Sequence, residues 1–145
     1  MRASVVVAFA AALALPAAVA AQSTHAHPAP VPEHEVASGW KELDAFHKLI
    51  GGTWHPVERA QDLGPIREKA PALAEAAEKW GASKVPAACD RKEIRDAIAA
   101  AVTGSKDVAR LVAAKATDVE ITKALRDVHD RFEVVEGGCH PTEKK

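Results

Sequence analysis

Thr117–Val135, TDVEITKALRDVHDRFEVV, decides the fold. Ile121, Leu125, Val128, Phe132 and Val135 recur three and four residues apart, which lines them along one stripe of an α-helix and leaves the charged residues to the rest of its circumference. Thr117 with Glu120 has the spacing of a capping box, in which each side chain satisfies a backbone N–H that the first turn leaves free. A helix with one apolar stripe needs partners to cover it, so the same period should recur elsewhere in the chain.

It recurs in three segments before this one. Ile94, Ile98, Ala101, Val108, Leu111 and Val112 mark a helix running to Lys115, with Asp90 and Glu93 as its capping pair and Gly104 tolerated in its interior. Before it, Ala82–Cys89 contains Val85-Pro86 and reads as a connection. Ile66, Ala70, Leu73, Ala77 and Trp80 mark another helix, opened by the turn Asp62-Leu63-Gly64 with Pro65 at its first position and stopped by Gly81; Pro71 is expected to delay or kink it. Trp40, Leu43, His47, Ile50, Trp54 and Val57 mark the first helix, which Gly51-Gly52 and Pro56 should loosen. Gly137-Gly138 is expected to end the last. No segment alternates as a half-buried strand does, and the alanine content favours helix. The expected fold is all-α, an up-down-up-down four-helix bundle.

The N-terminus reads as an export signal. Arg2 supplies the positive charge, Ser4–Leu15 is an apolar run too short to span a bilayer, Pro16 breaks it, and Ala18-Val19-Ala20 offers small residues for cleavage after Ala20 or Ala21. The expected organisation is a signal peptide over 1–20, a mobile lead-in over 21–38 (AQSTHAHPAPVPEHEVAS) and a bundle domain over 39–145. The expected destination is the periplasm. No cysteine follows the apolar run to take a lipid, and no later run reaches membrane length, so membrane insertion after signal cleavage is not expected. Removing Arg2 with the signal leaves 18 basic residues against 20 acidic ones. That balance gives no electrostatic attraction for nucleic acid.

Cys89 and Cys139 are the only two cysteines. One lies in the connection between the second and third helices and the other just beyond the fourth, which are the same end of an up-and-down bundle. An oxidising compartment makes a disulfide the expected state. It would close a loop of about 50 residues and stabilise the fold by roughly 4 kcal/mol. A thiolate metal site with His140 is the rival reading.

Seven histidines in 145 residues carry the remaining chemistry. Neutral imidazole ligates copper, zinc and nickel alike. His25 and His27 form an H-x-H pair in the lead-in, a weaker candidate together with His34 and His140. His47 and His129 are the more specific pair: each is expected roughly 10 Å from the same end of neighbouring helices. Asp44, three before His47, and Glu133, four after His129, share a helix face with their histidines and could add oxygen ligands. His55 lies too far along the helix to share an ion easily with His47 unless the Gly51-Gly52 break brings it back.

Phe46-His47 and Trp54-His55 on the first helix, with His129-x-x-Phe132 on the last, give the chain its resemblance. It resembles small exported four-helix-bundle proteins, largely of unassigned function, that carry these short patterns over most of the mature chain. The resemblance implies the fold and no particular activity. The residues themselves make the leading expectation a periplasmic protein that senses, buffers or delivers a divalent metal. One alternative is a ligand-free structural module that docks a periplasmic protein partner. The other is a bundle holding haem between His47 and His129, which has neither a C-x-x-C-H attachment motif nor any methionine in the mature chain to support it. No enzyme is expected, because nucleophile-elbow, H-E-x-x-H and phosphate-loop patterns do not occur.

Overall fold

A computed structural model of the chain describes residues 38–139. The expected signal peptide over 1–20, the expected lead-in before Ser38 with His25, His27 and His34, and His140 lie outside the described residues. Four helices follow one another: α1 Lys41–Ala60, α2 Gly64–Ala82, α3 Lys92–Ala113 and α4 Asp118–Cys139, with one 3₁₀ turn at Ala87–Cys89 between α2 and α3. Consecutive helices pack side by side, and α4 lies along both α3 and α1, which closes the four-helix bundle. Among the described residues there is no strand, and no helix is long and apolar enough to cross a membrane.

The apolar stripes meet as their spacing requires. Ile121, Leu125, Val128, Phe132 and Val135 of α4 are all buried, as are Ile66, Ala70, Leu73, Ala77 and Trp80 of α2. Trp80 is the hub. Its ring stacks on Phe46 at 5.0 Å between centroids and meets Trp40 and Phe132 edge-on at 6.0 and 6.4 Å. The indole N–H of Trp40 donates to the Ser83 hydroxyl (2.8 Å), which itself donates to the carbonyl of Trp80 (2.7 Å), so the start of α1 is tied to the end of α2. Thr117 and Glu120 form the capping box: the Thr117 N–H donates to Oε2 of Glu120 (2.9 Å), and the Glu120 N–H to Oγ1 of Thr117 (3.3 Å). Hydrogen bonds from the Thr117 side chain and backbone hold the Glu120 carboxyl below the ordinary carboxylate range.

Several punctuation marks in the sequence act differently. α1 runs unbroken through Gly51-Gly52 and Pro56, and ends where Gln61 turns left-handed (φ 54°) and donates its N–H to Val57. Pro71 sits inside α2 without ending it, the burial of its apolar stripe outweighing one lost backbone bond. Asp90 does not cap α3. Arg91 takes the cap position in an extended conformation, and the Asp90 carboxylate pairs with Arg95 instead. α3 ends at Ala113, two residues before Lys115, because Lys115 adopts φ 54° and the Ala116 N–H reaches back to the carbonyl of Leu111 (3.0 Å), a Schellman closure.

Gly81 and Gly138 lie in the last turns of α2 and α4, each one residue before the end, at Ala82 and Cys139. They are points of close approach. A Cβ on Gly81 would stand 2.7 Å from Cγ2 of Val102, one on Gly104 would stand 2.8 Å from Cγ2 of Val128, and one on Gly138 would stand 2.6 Å from Cδ1 of Ile94. Each contact lies between α3 and a neighbour, so α2 and α4 are drawn in against α3 wherever a glycine leaves room.

Candidate metal centre

The seam between α1 and α4 collects three imidazoles. His47, Gly51 and His55 are spaced four apart and share one stripe of α1. On α4, His129, Glu133 and Glu136 do the same at intervals of four and three. The helices run antiparallel, so the start of one stripe faces the end of the other.

Each imidazole has a carboxylate near its Nδ1. For His47 it is Oε1 of Glu136, at 3.3 Å across the seam, with the ring tilted against Phe132 at 4.8 Å. For His55 it is Oε2 of Glu58, one turn along α1, at 3.6 Å. For His129 there are two, Oε1 of Glu133 at 3.8 Å and Oδ1 of Asp130 at 3.9 Å. His129 is the most buried of the three, its side chain only 16% exposed, and it stacks on the Trp54 indole at 5.3 Å. The ligand atoms of His129, Asp130 and Glu133 all lie within 4.8 Å of one another, a spread that one ion could bridge after small rotamer changes.

The sequence-derived site residues are therefore partly brought together. His129 and Glu133 meet as their spacing implies. Asp44 does not join His47. Its carboxylate accepts from the N–H and hydroxyl of Ser38 at 2.9 and 2.6 Å, holding the entry to α1. His47 and His129 do not stand at one level. α4 continues through Gly137 and Gly138 to Cys139, which moves His129 further from that end, and its ring faces His55 at 6.4 Å instead. His55 leans back along α1: a Cβ built on Gly51 would lie 3.7 Å from Nε2 of His55 and 4.0 Å from Cδ2 of His47. Asp130, Glu136 and Glu58 are the carboxylates that sequence reasoning passed over. The i,i+3 spacing of His55 and Glu58 was the one available signal among them.

A groove continues from this cluster towards the start of α4, floored by Trp54, Val57 and Leu63. The Arg126 guanidinium lies over the Trp54 ring, 5.5 Å from its centroid.

At the opposite end of the seam, Cys89 and Cys139 lie together, and both are free thiols. Sγ of Cys89 donates to the carbonyl of Cys139 at 3.8 Å, which places the two residues at the same end of the bundle without a bond between their sulfurs. Burial, reinforced by the neighbouring Cys89, pushes the Cys139 thiol up to about 12. Comparison with protein-family models, curated proteins and solved structures finds no match for this chain.

Proposed function

We propose that this is an exported, periplasmic protein that binds a divalent transition metal at His129, Asp130 and Glu133. The observation that carries the reading is the convergence of one largely buried imidazole and two carboxylates within 4.8 Å. A mixed nitrogen and oxygen set suits zinc, copper or nickel, whereas calcium and magnesium take oxygen alone. Export rests on the Arg2–Ala21 segment, and sensing, buffering or delivery are the roles open to such a site outside the cytoplasm.

Calorimetric titration of the chelator-treated mature chain tests the site. Zinc, nickel or copper is expected to bind in the micromolar range or tighter, and His129→Ala and Glu133→Gln are each expected to weaken binding at least tenfold. Affinity should fall as the pH is lowered, because protons compete for the imidazole nitrogen. Binding by the ordinary chain that neither substitution alters would show the centre to be wrongly placed.

Export also bears on the cysteines. Loss of one hydrogen from each of Cys89 and Cys139 to a disulfide-bearing oxidoreductase joins the two sulfurs and leaves the oxidant as a dithiol. Protein recovered from the periplasm is expected to have the intact mass of the disulfide, two hydrogens below the dithiol. A dithiol mass under non-reducing conditions would rule the pairing out.

A further inference from the structure

We infer that His55 is a ligand of the same ion, so that the centre is built by α1 and α4 together and selects a metal that accepts two imidazoles. The inference rests on the reading that His129, Asp130 and Glu133 hold an ion, and it adds the fourth ligand and the class of ion. His55 and His129 face each other edge-on with ring centroids 6.4 Å apart. With metal–nitrogen bonds of about 2.0–2.1 Å, two imidazoles on one ion have their rings roughly 5–6 Å apart, close to this separation; the His55 nitrogens stand outside the 4.8 Å group of the other three ligands, so coordination takes a turn of the His55 ring as well as a small shift.

The second observation is the state of the His55 ring. Its Nδ1 is buried and makes no hydrogen bond, the nearest carboxylate oxygen being that of Glu58 at 3.6 Å. A buried polar nitrogen without a partner costs free energy. Coordination through Nε2 does not itself pair Nδ1, but it sets up the partner that does. It fixes the proton on Nδ1 and lets a small rotation bring Nδ1–H onto the Glu58 carboxylate, the arrangement in which an outer carboxylate orients a metal-bound histidine. The space beside Nε2 at Gly51 holds no Cβ, and Cδ2 of His47 borders it.

Charge agrees with this. Asp130 and Glu133 as direct ligands neutralise a divalent ion, while His55 and His129 add neutral nitrogen donors, completing a four-coordinate set. Two nitrogens among four ligands favour zinc, nickel or cupric ion over calcium and magnesium.

The test is a zinc titration of the mature chain and of its His55→Ala, His129→Ala and Glu133→Gln variants, with far-UV circular dichroism to show that each is folded. X-ray absorption of the zinc-loaded protein accompanies it. His55→Ala is expected to weaken zinc binding tenfold to a hundredfold, and the imidazole count at zinc to fall from two to one. The lead-in histidines contribute equally to every variant. If His129→Ala and Glu133→Gln weaken binding while His55→Ala leaves it unchanged, the ion belongs to α4 alone and the inference is overturned, with the centre intact. If all three variants bind as the parent does, the centre itself fails.

Discussion

Trp80→Ala is expected to lower the folding free energy by about 3–5 kcal/mol, the usual range for deleting a buried aromatic from a core that cannot collapse around the space. The side chain is fully buried and touches the rings of Phe46, Trp40 and Phe132, so its loss unpacks α1, α2 and α4 together. A domain of this size has roughly 5–15 kcal/mol in total, so the variant should sit near the edge of stability. Trp80→Phe is the informative control. The Trp80 Nε1 has no hydrogen-bond partner among the described residues, so phenylalanine removes an unpaired donor while keeping a ring against Phe46. Urea denaturation followed by far-UV circular dichroism measures both. A loss below about 1 kcal/mol for the alanine variant would contradict the hub role of Trp80.

Gly104→Ala should destabilise the protein although alanine is the better helix former. The propensity gain is about 1 kcal/mol. Against it, the new methyl would start 2.8 Å from Cγ2 of Val128, a short branched side chain on the facing helix that cannot swing aside. Relieving that overlap means separating α3 from α4, and overpacking of this kind costs about 1–3 kcal/mol. The expected net is a loss of up to about 2 kcal/mol. Gly52→Ala has the opposite sign. Nothing lies within 4 Å of the added methyl there, so the same exchange should stabilise by about 0.5–1 kcal/mol. Thermal denaturation of the two variants beside the parent reads the contrast directly. Equal shifts in the same direction would mean that the approach of α3 and α4 at Gly104 is not tight.

The contrast shows where sequence reading succeeds and stops. Apolar spacing located all four helices, because a stripe with a helical period has one way to be buried. The Thr117–Glu120 box was legible because its chemistry is local. At Gly81 and Gly138 the sequence marked helix ends to within a residue but not the close contacts, which only the neighbouring helix decides. The candidate centre divides in the same way. His129 with Glu133 lies on one helix and followed from spacing. Glu136 beside His47 and His55 beside His129 depend on how two helices are rotated and how far α4 extends, which no intrahelical period encodes.

The glycine notches key three of the four helices to one another. Val102, Ile94 and Val128 are seated where Gly81, Gly138 and Gly104 leave room, so α2 and α4 cannot slide along α3 without riding out of those seats. α1 has no matching seat on α4: the site beside Gly51 meets only imidazoles of its own helix, and Gly52 meets nothing. Axial register is thus set by glycine seats among α2, α3 and α4, whereas α1 is held by the stacking of Phe46 on Trp80 and by the Trp40–Ser83 hydrogen bond.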